Sequence, residues 1–232
     1  MSHQINLDEV DVDGAIREAA EEVAGDTRLN FMKKAGLAGG ALVSGGAILS
    51  ALVPNALAAA QTGRPPASFG AGDIGVLNYA LTLEYLEAAF YNGATKARLK
   101  LDSQAAAFLK TVTKDENAHV AFLKSALGAK AVKQPRFDFK GANMNVHTFM
   151  ATSQVLENTG VHAYSGQALN ISNPAYVKAA LSILTVEARH ASVIGLLNDP
   201  SGDSIAPNGP FDTSETAAEV LAAVKSTGFI VC

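Results

Sequence analysis

The 232-residue sequence predicts an all-α fold, a four-helix bundle with one long crossover and a short C-terminal helix. Three observations carry this. Four segments after residue 72 place apolar residues at helical spacing over roughly 20 residues or more, without internal proline. Their connections run short, long, short, which is the order of two helical hairpins joined by a crossover. No strand pattern competes, apart from brief apolar runs such as Phe229-Ile230-Val231.

The first helix is predicted from about Asp73 to Tyr91, after a linker at 61–72 rich in Gly, Pro and Ser. Asp102 or Ser103 caps a second helix that runs to Leu127, where Gly128 stops it. Residues 129–144, with Pro135, Gly141 and alternating charges, form the long connection. A third helix is predicted from Val146 to Leu169. Asn173-Pro174 is a cap followed by proline at the first helical position, and it opens a fourth helix to Leu197. Asn198 to Asp212 is loop by composition. An amphipathic helix from about Ser214 to Lys225 follows, with Val220, Leu221 and Val224 placed to pack on the bundle. The bundle proper is thus 73–198, and 199–232 is a C-terminal loop and helix.

Residues 1–60 differ in kind. Eight acids and one base fill residues 1–26; Arg28, Lys33 and Lys34 follow; the 19 residues from Ala35 to Val53 are uncharged. Pro54 and the small residues Ala56 to Ala60 close the run. Basic, apolar and small-residue regions in this order are the pattern of an export signal, with cleavage sites after Ala58 or Ala60. Thr27-Arg28-Leu29-Asn30-Phe31-Met32-Lys33 resembles a twin-arginine motif with Leu29 in place of the second arginine, which leaves the twin-arginine and general secretory routes both open. Cleavage is favoured over a retained anchor, and five glycines argue against a core helix. The predicted location is the periplasm or cell envelope, with membrane contact only through an uncleaved leader.

Composition narrows the function further. A single cysteine, Cys232, excludes an internal disulfide framework and multi-cysteine metal sites. There is no basic excess and no tryptophan, so nucleic acid is not a predicted partner. After residue 60 the acids and bases number 14 each.

Each long helix carries a glutamate on its apolar face. Glu84 shares its face with Leu77, Leu81, Ala88 and Tyr91; Glu116 with Leu109, Val112, Val120 and Leu123. Glu157 lies with Met150, Val161 and Tyr164, and Glu187 with Ala180, Ile183, Ala191 and Ile194. A glutamate on a helix is ordinarily solvated. Four on inward faces need compensating cations, because a buried carboxylate without a partner is costly. Lysine and arginine do not supply them on those faces. His119 and His190 do share the faces, each three residues after a glutamate, in the two E-x-x-H pairs of the chain. The order is Glu, E-x-x-H, Glu, E-x-x-H, a two-fold repeat of a helix pair with offsets of 73 and 71 residues. Four carboxylates balance two divalent cations. Oxygen and imidazole donors suit iron or manganese, and admit zinc. The predicted metal ligands are therefore Glu84, Glu116, His119, Glu157, Glu187 and His190, holding two metal ions, iron or manganese. With four acids spent inside, the exported surface should lean basic by about four charges.

On these residues the chain resembles a ferritin-like domain of the rubrerythrin and ribonucleotide-reductase ligand type. More narrowly, it is similar to the bacterial ferritin-like family that includes plant desiccation-related proteins. The matching segments are LNYALTLEYLEAAFYN (77–92), DENAHVAFL (115–123), LENTGVHAY (156–164) and VEARHASVIGLL (186–197), with PFDTSETAAEVLAAV (210–224) in the tail. The resemblance implies the bundle and a di-metal centre.

Other residues carry two readings each. Tyr91 and Tyr164, each seven residues after a ligand glutamate, are core aromatics with a buried hydroxyl partner or a relay to the metals. Glu87 is a flanking acid or an extra ligand. Asp115 orients a histidine or lies on the surface. His147 and His162 fall off the ligand faces. The functions left open are a redox enzyme or ferroxidase acting on dioxygen or peroxide, a manganese-type peroxide dismutase, and a non-catalytic metal-stabilised bundle in desiccation or envelope protection. The partners expected are metal ions and small oxidants, and a homo-oligomer stays open.

Overall fold

The computed structural model describes residues 63–231; the leader assigned to residues 1–60 lies outside the described residues. Five α-helices dominate: α1 (Gly72–Ala97), α2 (Ser103–Leu127), α3 (Val146–Gln167), α4 (Pro174–Asn198) and α5 (Ala217–Thr227). The fold is the predicted all-α bundle. α1 packs chiefly on α2, and α3 on α4, so the chain forms two hairpins joined by the crossover between α2 and α3.

The predicted caps hold the helix starts. The Asp102 carboxylate accepts from Gln104 N and Ala105 N at 2.9 and 2.8 Å, and Asn173 accepts from Ala175 N. α2 ends at Gly128, whose φ of 54° turns the chain out of the helix at no steric cost. α5 begins later than expected, at Ala217, because Thr216 with Glu219 forms a reciprocal capping box that Ser214 has no partner to match. α1 runs six residues past the expected end at Tyr91. Asn92-Gly93 reads locally as a stop, but Asn143 from the crossover packs on Gly93 and donates its amide to Phe90 O at 3.1 Å. A side chain at position 93 would occupy that space.

The crossover is pinned at both ends. The Asn78 amide donates to Phe69 O and Lys130 O and accepts from Val132 N. Arg136–Phe137 pairs antiparallel with Ile230–Val231. The segment read as a linker lies against the bundle: Phe69 meets Tyr79 edge to face, and Gly63 O accepts from Gln167 and Ala217. α5 packs against α3 and buries Val220 and Val224 in the core.

The apolar core is divided. One cluster holds Phe90, Phe108, Val112, Phe149, Ile194 and the α5 valines. The other holds Leu77, Leu81, Leu123, Leu127 and Ile183. On α2 Glu116 stands between Val112 of the first cluster and Leu123 of the second, and on α4 Glu187 stands between Ile183 of the second and Ile194 of the first; on α1 and α3 the two clusters interleave around Glu84 and Glu157. The fold therefore sets four acidic residues in one layer across the middle of the bundle.

Candidate metal centre

Glu84, Glu116, Glu157 and Glu187 are each 0% exposed. They come one from each of α1 to α4, as the face analysis requires. His190 is buried and His119 nearly so, with 12% of its side chain exposed. Both histidines turn Nδ1 toward the acids. His119 Nδ1 lies 3.0 Å from Glu116 Oε2, 3.2 Å from Glu187 Oε1 and 3.3 Å from Glu84 Oε2. His190 Nδ1 lies 3.0 Å from Glu116 Oε1 and 3.2 Å from Glu157 Oε2.

These contacts sort into two groups. One donor atom each from Glu84, Glu116, His119 and Glu187 lie within 4.8 Å of one another, and so do donors from Glu116, Glu157, Glu187 and His190. Glu116 and Glu187 belong to both.

The donor set fits divalent cations better than it fits itself. Glu84 Oε2, Glu116 Oε1 and both oxygens of Glu187 are buried and accept no hydrogen bond. Unsatisfied buried oxygens of this kind are rare in folded proteins. One imidazole Nδ1 carries at most one proton, which cannot serve the three oxygens around His119. A cation where nitrogen and oxygens converge satisfies all of them at once.

The electrostatics agree. Burial pushes the Glu116 carboxyl up to about 7, although the neighbouring His119 and His190 imidazoles act the other way. Glu187 is raised well above the carboxylate range, first by burial and then by the Glu116 charge. Burial disfavours a charged His190, but the carboxylates of Glu116 and Glu157 win and push it up to about 11. His119 is raised likewise, against its burial, by Glu116, Glu187 and Glu84.

The two tyrosines cross the bundle. The Tyr91 hydroxyl donates to Glu157 and the Tyr164 hydroxyl to Glu84, so each half's tyrosine holds the other half's glutamate. Burial raises both phenols, and the facing glutamates raise them further. Asp115 does not serve His119 on its own helix; its Oδ2 lies 3.3 Å from His190 Nε2. Both groups line an open groove between α2 and α4, with Phe108, Thr111 and Val193, which brings solvent to the edge of the centre. Glu87 is buried beside the acid layer.

His162 sits away from the centre and binds the tail, Nδ1 at 3.1 Å from Glu215 and Nε2 at 3.5 Å from Asp212. His147 is exposed. Sequence reasoning did not single out Gly160, which faces Glu187 across the layer. The 73-residue offset of the repeat could have found it, since it is the counterpart of Glu87.

A sequence model of the ferritin-like domain matches residues 72–199, from the first residue of α1 to the residue after α4. No curated protein matches the chain. The match spans more than half of the 232 residues and coincides with the four helices that carry the acid layer, and the chain belongs to the ferritin-like domain family.

Proposed function

We propose that this chain is an exported di-metal carboxylate protein of the redox class. It would hold two iron or manganese ions and protect the cell envelope against peroxide or metal stress. The observation that carries the proposal is the pair of overlapping donor groups, each of three carboxylates and one imidazole, sharing Glu116 and Glu187. In this reading Glu84 and His119 would help hold one ion and Glu157 and His190 the other, with Glu116 and Glu187 placed within reach of both. Such ions, when bound, supply electrons for the reduction of dioxygen or hydrogen peroxide, or accept them from ferrous ion.

The chain's own groups do the rest. Tyr91 and Tyr164 orient Glu157 and Glu84 by donating to them. The apolar clusters on both sides keep bulk water from the carboxylates, which strengthens their hold on a cation. With an ion bound, Asp115 would accept from His190 Nε2–H, so that Nδ1, having given up its proton, is the nitrogen turned to the ion. The groove between α2 and α4, lined in part by His190 and Asp115, offers small oxidants an approach to the edge of the centre. Export rests on the basic, apolar and small-residue pattern of residues 28–60.

The test is anaerobic loading with ferrous ion, followed by oxygen or peroxide and watched by absorbance. Oxidation of the loaded ions by either oxidant, repeated each time further ferrous ion is supplied as the electron donor, is the expected result. Ions that load but never change state would assign them a structural role and overturn the redox reading.

A further inference from the structure

The two apolar clusters are not filled alike. The first buries the rings of Tyr79, Phe90, Tyr91, Phe108 and Phe149, whereas the second, among the described residues, buries only those of Tyr85 and Tyr164. Beside the second cluster, where Ala80 of α1, Ala163 of α3 and Ala180 of α4 face one another, a cavity of about 20 Å³ remains, room for one small molecule.

The wall of the cavity places it next to the acid layer. Ala80 and Ile183 stand one turn before Glu84 and Glu187, about 6 Å along their helices. Tyr164, also in the wall, donates its hydroxyl to Glu84. In the other direction the wall runs out to Phe122, which is 43% exposed, and to the half-buried Tyr176 and Ala179. The cavity therefore stands between the surface and the first contacts of the centre.

Water finds little to hold it there, since a buried water makes about three hydrogen bonds. The Gln167 amide in the wall already donates to Gly63 O and accepts from Asn170, and the Tyr164 hydroxyl is engaged with Glu84. Of the buried polar side chains in the wall, Tyr79 alone has a hydroxyl without a partner. A dry apolar cavity suits an uncharged, nonpolar guest, which restores contacts that its walls otherwise forfeit. Dioxygen is such a guest. Hydrogen peroxide, which donates and accepts hydrogen bonds at both ends, suits the groove beside Asp115 and His190.

We propose that this cavity is a holding site for dioxygen, entered from the Phe122 side and leading to the centre past Tyr164. The proposal rests on the redox reading above. It gives the two oxidants separate approaches, one apolar and one polar.

Xenon, a monatomic apolar probe, tests the cavity in the metal-free protein by methyl NMR. The expected result is saturable shifts of the Leu77, Leu83 and Ile183 methyl signals. These should be lost in Ala80→Leu and in Ala180→Leu, which fill the space from two different helices. The second readout is a ratio of rates in ferrous-loaded protein, oxidation by dioxygen over oxidation by peroxide. It should fall in both filled variants, with the peroxide rate unchanged. A wild type without saturable xenon shifts would overturn the proposal and leave the di-metal reading standing. So would xenon binding with a rate ratio that filling does not change. A fall of both rates together would overturn it as well, by marking a disturbed centre and not a blocked approach. A wild type that takes up no ferrous ion would overturn the redox reading, and the delivery of dioxygen with it, even where xenon binds.

Discussion

Glu116→Gln should abolish the stabilisation that metal brings, while barely disturbing the metal-free protein. The structure sets the size of the effect. Glu116 belongs to both donor groups, so its loss removes both ions, whereas Glu84 belongs to one. A ligand at one hundred times its dissociation constant stabilises by about 2.7 kcal/mol, so two independent sites give about 5 kcal/mol. For a domain of this size each kcal/mol moves Tm by roughly 2–4 °C, which makes the wild-type shift on metal addition about 10–20 °C. Glu116→Gln should show none of it, and Glu84→Gln about half. Without metal the glutamine fits: the buried carboxyl it replaces is already pushed up to about 7 by its surroundings, so neutrality at that position costs little. The assay is thermal unfolding by circular dichroism, with and without Mn(II), of the three proteins. Glu116→Gln retaining the full metal-induced shift would refute its place in both groups. So would Glu84→Gln losing everything while Glu116→Gln loses half.

Three further predictions follow from other parts of the structure. Tyr91→Phe and Tyr164→Phe each leave a buried glutamate without its donor, and each should cost about 1.5–3 kcal/mol in urea unfolding of the metal-free protein. Unequal costs, with one near zero, would show that the crossed pairing is not symmetric. Asp102→Ala removes the acceptor for two amide groups at the start of α2 and should cost about 1 kcal/mol, without change in metal content. Tm of the metal-free protein should fall from about pH 5 to about pH 9. Glu116 is raised from 4.5 to about 7, so its contribution is lost as pH climbs between those values; His190 is raised from 6.5 to about 11, so its contribution is complete below 6.5 and is lost above it. Both act in the same sense. Bound metal should reverse the trend, because its ligands must be deprotonated. A metal-free Tm that rises across this range would contradict the account of the centre.

The long helices and their order were legible because apolar spacing and caps are local signals. Asp102, Asn173 and Gly128 act where the chain itself places them. The extension of α1 was not legible, since it depends on Asn143 reaching back to cover Gly93 from 50 residues away. Nor was the pairing of Arg136–Phe137 with Ile230–Val231, for the same reason of distance along the chain. The centre divides in the same way. One buried face per helix was enough to select the six clustered groups. Which group touches which depends on how the helices cross, and that is absent from any single helix. Tyr91 answers Glu157 rather than Glu84, and Asp115 answers His190 rather than His119. Gly160 carried a signal only as the missing partner of Glu87 in the repeat.

The central claim is that the acid layer is a two-ion site. Elemental analysis of the protein purified from its native host, with protein concentration determined independently, tests it most directly. The account predicts two ions of iron or manganese per chain, and none in Glu116→Gln. Protein from the native host without bound metal, and still without it after anaerobic loading with ferrous or manganous ion, would contradict it.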